Sequence, residues 1–173
     1  MIDENRSALA WYAVHVKSRH EFQVFDRLTG AGIETFLPFM KKLRKWKDRN
    51  KLIDFPLFPG YLFVHTGFAQ QSKLAVLKTK GVARILASPD GAPEPVPEEQ
   101  ILALKRLVES GIRLDPHPYL QEGQRVRITS GPLSGVAGTL VKKTDRDLLV
   151  LSVDIIRQST SVTIDAADVE AIG

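Results

Sequence analysis

The run Asp54–Thr66, DFPLFPGYLFVHT, is the densest apolar and aromatic stretch in the chain and does most to limit its fold. Pro56 and Pro59 lack an N–H and disfavour a central ladder in its first half, whereas Tyr61–Val64 reads as a core strand. Side chains alternate along a strand, so Tyr61 and Phe63 share one face and Leu62 and Val64 the other. If the second pair faces covering helices, the aromatic pair forms a patch on the opposite side.

The surrounding sequence supplies partners for that strand. Ala10–Val16 (AWYAVHV) is aromatic and β-branched and reads as a strand. Ser18 followed three residues later by Glu21 fits a capping box, opening a helix that Gly30 and Gly32 close. On it Phe22, Phe25 and Leu28, with Val24 beside them, form the expected apolar stripe, and His20, Gln23 and Arg27 the polar side. Ile33–Met40 predicts a strand broken near Pro38, Leu74–Leu77 a short helix and Gly81–Leu86 another strand. A loop with four prolines spans Ser88–Pro97; Pro97-Glu98-Glu99 then starts a helix with the stripe Ile101, Leu104, Leu107 and Val108, ended by Gly111. This order fits an α+β architecture, a mostly antiparallel sheet with covering helices.

Beyond it the pattern changes. Arg113–Leu120 carries Pro116 and Pro118 and little apolar periodicity, and reads as a flexible linker. From Gln121 to Gly173 there are five short β segments with turn signals between them, which predicts a small, partly closed five-stranded barrel. The expected organisation is a flexible terminus over 1–9, an N-terminal domain over 10–112, a linker over 113–120 and a barrel over 121–173. Charge divides along the same line: residues 1–86 hold 15 Lys/Arg against 7 Asp/Glu, and residues 87–173 hold 9 against 13. Much of the excess lies in Lys41–Lys51 (KKLRKWKDRNK), with seven basic residues and one acid. That segment is either a solvated basic hairpin loop or a nucleic-acid contact.

Several classes of function find no support. There is no Cys, and four scattered His make a structural zinc site unexpected. Met1–Ala10 has no apolar segment of the signal-peptide kind, and no apolar run approaches the roughly 20 residues of a membrane span. His15 and His65 have no evident Asp or Ser partner, and SGPLSG lacks the Gly-Lys-Ser/Thr ending of a phosphate loop. A cytoplasmic binding protein is expected, with no enzymatic activity, no cofactor and no metal.

Two motifs carry a family resemblance. WYAVHVKSRHE, followed some way on by LFPGYLFV, resembles the N-terminal domain of NusG-like transcription factors, in which a Trp-Tyr strand pairs with a Phe-Pro-Gly-Tyr strand. GQRVRITSGPLSGVAGTLVKK resembles the KOW motif, an SH3-like barrel, with Gly123, Gly131, Gly135 and Gly138 among alternating apolar residues. The wording PLFPGYLFV and the ending LLVLSVDIIRQSTSVTID are similar to the specialised (UpxY-like) antiterminators of polysaccharide and capsule operons.

The resemblance implies a monomeric bacterial elongation factor, held at the nucleoid by RNA polymerase. It would dock on the clamp helices of the polymerase through Tyr61 and Phe63, with Ile85 extending the patch. Lys17, Arg19, His20 and Arg27 would then lie near upstream or non-template DNA. Trp46, between Lys45 and Lys47, either stacks on an exposed base or anchors the hairpin. Trp11 is read mainly as structural. The barrel's apolar tip would be Ile155-Ile156, where the housekeeping factor often has an aromatic second residue. That departure puts Rho in doubt and leaves ribosomal protein S10 an open partner. The β-branching of Val150, Val153, Ile155, Ile156, Val162 and Ile164 argues against an alternative helical state. A housekeeping NusG acting with Rho and S10, and an RNA- or ribosome-binding KOW protein, stand as alternatives.

Overall fold

The computed structural model describes residues 8–67, 70–120 and 122–173, so most of the terminus expected to be flexible lies outside the described residues. The chain divides into two compact units, Met1–Glu98 and Glu99–Gly173.

The first unit contains β1 (Ala10–Val16), α1 (Glu21–Gly30), β2 (Glu34–Phe36), β3 (Phe39–Trp46), β4 (Arg49–Pro56), β5 (Tyr61–Thr66), α2 (Gln70–Lys78), β6 (Val82–Ile85) and β7 (Pro95–Val96). Its main sheet runs β2-β5-β1-β6, with β7 also paired to β1. All these pairings are antiparallel, and the register sets Val14 opposite Leu62 and Tyr12 opposite Val64. Val14, Val16, Leu62 and Val64 therefore share a face, and they form one core with Val24 and Leu28 of α1 and Val76 of α2. Leu62 and Val64 do face the helices.

Helix α1 starts differently from the sequence expectation. Ser18 does not cap it; the helix begins at Glu21 after His20, which makes no side-chain capping bond. Between Ser18 and the helix start, Arg19 adopts a left-handed φ of 65°. Glu21 is buried, and its Oε1 accepts the Gly60 amide at 2.9 Å. The Gly60 carbonyl in turn accepts the Val16 amide at 2.8 Å. The Phe-Pro-Gly turn is thus tied to the end of β1 and the start of α1 together. This tie sets the helix phase: Glu21, Val24 and Leu28 are buried, whereas Phe22 and Phe25 flank the core half-buried. Gly81 makes the same corner possible, since at φ 101° a Cβ there would lie 2.7 Å from Val24 Cγ2.

The basic segment is not a loop. Among the described residues β3 and β4 pair only with each other, from Phe39↔Pro56 to Trp46↔Arg49. Lys47 and Asp48 make the two-residue turn, with Lys47 at φ 51°. The break near Pro38 separates β2 from this ribbon, and the ribbon's base meets α1 through an edge-on contact of Phe22 and Phe39 at 5.7 Å.

The second unit holds α3 (Glu98–Glu109) apart from its first residue, then β8 (Leu114–His117), β9 (Gln124–Ile128), β10 (Ala137–Lys142), β11 (Asp147–Val153), β12 (Gln158–Ile164) and β13 (Val169–Ala171). Ile101, Leu104 and Leu107 are the buried stripe of α3. The strands form one six-stranded antiparallel sheet in the order β13-β9-β10-β11-β12-β8. β8 lies where the linker was expected, with Leu114 opposite Val162 and Pro116 opposite Thr160. An edge position tolerates the missing N–H of Pro116, and burial of Leu114 holds the strand in place. At Gly138 a Cβ would stand 2.6 Å from the Val150 carbonyl oxygen, so the close approach of β10 and β11 requires glycine. Among the described residues no helix is long and apolar enough to cross a membrane.

Candidate functional site

The other face of the first unit's sheet follows from the same register. Trp11, Ala13 and His15 of β1 stand beside His65, Phe63 and Tyr61 of β5, with Glu34 and Phe36 of β2 beyond them and Arg84 opposite His15. Tyr61 is half-buried, and its ring is tilted against His15 at 5.1 Å. Phe63, expected as an exposed anchor, is fully buried and stacks on Phe36 at 6.2 Å. Ile85, expected to extend the patch, sits opposite Val14 and belongs to the helix-covered core. Arg84, opposite His15, is the β6 residue on the Tyr61 face. Trp11 is buried, stacked on His65 at 4.8 Å, and His65 Nδ1 lies 2.7 Å from Glu34 Oε2.

Basic residues gather at the end of this sheet. Lys17 and Arg19 are exposed on the turn between β1 and α1, and the Lys17 amide donates to the Gly81 carbonyl at 2.8 Å. Arg27 donates from Nη1 to the Lys80 carbonyl at 2.7 Å, which draws the α1 surface toward the same corner. His20 Nδ1 donates to the Ser18 carbonyl at 2.8 Å, leaving its Nε2 as the nitrogen for a further contact.

On the ribbon, Trp46 is 64% exposed. Alternation sets it on the same face as Lys42, Arg44, Arg49 and Lys51. Lys45 lies on the reverse face and Lys47 in the turn, so neither sequence neighbour of Trp46 shares its face.

In the second unit, Ile155 is half-buried and Ile156 buried within the turn Asp154–Ile156, so the tip exposes less than expected. Beside it Asp154 accepts the Tyr119 hydroxyl at 2.8 Å and Gln100 Nε2 at 3.3 Å, and Arg157 lies 5.2 Å from the Tyr119 ring centre. Sequence reasoning missed this cluster because Tyr119 stood in the supposed linker. The hydrogen bond to Asp154, foremost, raises the Tyr119 phenol above its ordinary pKa, while Arg157 opposes the rise. Nearby, Arg106 of α3 donates to the carbonyls of Ser134 and Pro132 in the SGPLSG turn. No group of His, Cys, Asp or Glu among the described residues is arranged to hold a metal ion.

A sheet-and-helix unit joined to a β-rich one, with aromatic and basic surfaces on the first, defines the class as that of the NusG fold. The solved structure described as domain interaction in Thermotoga maritima NusG has this fold: TM-score 0.56, 23% identity, covering 97% of this chain and 99% of that one. The family profile "Transcription termination factor nusG" matches residues 9–105, more than half of the chain, and the protein belongs to the NusG family of transcription termination/antitermination factors. The transcription termination/antitermination proteins NusG of Staphylococcus aureus strains Mu50 and N315 are each 27% identical over 184 residues, covering 99% of this chain and 100% of theirs.

Proposed function

We propose that this protein rides on RNA polymerase in the bacterial cytoplasm and suppresses pausing and termination in a subset of operons. The observation that carries the reading is the surface around Tyr61 and His15, on the sheet face turned away from α1 and α2. Tyr61 would enter the groove of the clamp-helix coiled coil, with Arg84 and the Lys17–Arg19 turn beside upstream or non-template DNA. The work is mechanical. A factor that binds the closed clamp better than the open one shifts that equilibrium by its differential affinity. A preference of about 1.4 kcal/mol changes the populations tenfold.

The second unit is read as an SH3-like KOW barrel, its sheet closing between edge strands. Ile156, at the second position of the Ile155-Ile156 tip where the housekeeping factor often has an aromatic, supports a specialised paralogue over a housekeeping factor coupled to Rho; ribosomal protein S10 is the partner left to test.

Tyr61→Ala is the informative variant, because Phe63→Ala would hollow the interior as well. An aromatic anchor lost from an interface costs about 2 kcal/mol, or roughly thirtyfold in retention on immobilised polymerase. Readthrough of a terminator by purified polymerase should fall in parallel. Retention and readthrough unchanged by Tyr61→Ala would refute the docking face.

A further inference from the structure

Strand β8 is fastened to its sheet mainly by polar groups. It is an edge strand of four residues that pairs, among the described residues, with β12 alone, and Leu114 is its one buried side chain. Pro116 and the following Pro118 keep the backbone extended whether or not it is paired. The Asp115 carbonyl accepts Thr160 Oγ1 at 3.1 Å and, more weakly, Ser161 Oγ at 3.4 Å. Past the strand, the Leu120 amide donates to Ser159 Oγ at 3.2 Å, and the Leu120 carbonyl accepts Ser152 Oγ at 2.6 Å. Between these two attachments the Tyr119 hydroxyl donates to Asp154 Oδ1.

The strand it lies against is polar as well. The β12 residues opposite β8 are Ser159, Thr160, Ser161 and Val162, and the three that bear hydroxyls are at most 5% exposed. A permanent core contact is usually apolar, because a buried hydroxyl stabilises nothing unless its bond is made. Here the hydroxyls make their bonds to the main chain of the segment that covers them. When that segment lifts, each hydroxyl exchanges a protein partner for water at little net cost, and no broad apolar strip is laid bare. A short edge strand with one apolar anchor and a wettable bed belongs to the low-stability end of a fold, which opens while the rest stays folded.

We infer that β8 is a releasable strap: the chain interchanges between this strapped form and one in which residues 114–120 leave β12 while β9 to β12 stay folded. Release changes reach. Strapped, only residues 110–113 join α3 to the sheet, a span of at most about 14 Å. That short connection keeps Arg106 and Gln100 of α3 in range of the SGPLSG turn and Asp154. Unstrapped, residues 110–123 join α3 to β9 and can span up to about 50 Å. The prolines limit the conformers of the free segment, so it returns to its register readily. The strap thus sets how far the β-rich sheet can travel from α3.

The chain has no Cys, so a reversible lock can be built in. Asp115 and Ser161 are direct cross-strand partners, and the Cα separation of about 4.5–5.5 Å in such pairs suits a disulfide. The test is hydrogen exchange of the full chain, read by mass spectrometry on peptides covering 112–120 and 147–153. The first segment should be protected, yet exchange at least about tenfold faster than β11, at a rate nearly independent of urea below the unfolding transition. Thr160→Val removes the bond to the Asp115 carbonyl and should speed that exchange about fivefold while leaving β11 unchanged. In the double variant Asp115→Cys with Ser161→Cys, oxidation should bring the segment to the β11 rate, and reduction should restore the difference. Exchange of 112–120 at the β11 rate in the unaltered chain makes β8 an ordinary strand of the sheet and overturns the inference. Exchange at the unprotected rate makes it a free linker and does the same, as does a disulfide that forms without slowing the segment.

Discussion

Replacing Glu21 with Ala removes the carboxylate that accepts the Gly60 amide at 2.9 Å, in a position where Glu21 itself is buried. A hydrogen bond to a charged group contributes about 1.5–3 kcal/mol. Gly60 is only half-buried, so water can partly replace the lost acceptor, which favours the lower end. An acid in the first turn of α1 adds about 0.5 kcal/mol through the helix dipole. The expected loss is about 2 kcal/mol, or roughly 8–16 °C in the melting temperature of a unit this size. Glu21→Gln keeps an acceptor oxygen and should lose about half as much. The chain has two Trp, so a Trp46→Phe background leaves Trp11, buried in the same unit, as the only reporter. Thermal melts followed by its emission then isolate the unit of interest. An Ala variant melting within about 2 °C of its parent, or a Gln variant worse than Ala, would refute the claim that this bond ties the Phe-Pro-Gly turn to α1.

Gly81→Ala, forced to φ 101° with its Cβ 2.7 Å from a fully buried Val24, should cost about 2 kcal/mol in the same assay. Gly138→Ala meets a backbone carbonyl at 2.6 Å, which cannot swing aside; a loss of at least about 2 kcal/mol is expected, seen as early loss of amide protection in β10 and β11. Phenolate absorbance should place the Tyr119 titration above 10.0, and Asp154→Asn should bring it down. Because the folded value is raised, the stability linked to this hydroxyl is complete below the unfolded pKa and is lost as pH climbs through the folded one.

Regular alternation and simple stops were legible in the sequence. Ala10–Val16 is a strand over the span its aromatic and β-branched residues suggested, and α3 follows Pro97 with its expected buried stripe apart from a half-buried Val108. The misreadings share a cause, a tertiary contact overriding a local pattern. Glu21 looked like a capping residue because Ser18 precedes it, but its carboxylate serves a glycine 39 positions away. β8 looked like linker because prolines hide an edge strand whose partner β12 lies far along the chain. Ile85 looked available because it is apolar beside an aromatic patch; only the register with Val14 reveals which face it takes. At the candidate site, residue types were readable and sidedness was not. Lys45 and Lys47 flank Trp46 in sequence, yet Arg44 and Arg49 share its face.

The ribbon also bears on how the protein keeps its own copies apart. With β3 and β4 paired only to each other among the described residues, both strands have an open edge, and Leu43 and Leu52, 69% and 60% exposed, sit side by side on one face. Such a strip invites a further strand from another molecule. The lysines and arginines along it make that addition repulsive, so charge protects an edge that no neighbouring strand covers. Stripping several of them at once would leave that edge open to strand addition. The charge of the ribbon is therefore constrained by what it must keep away.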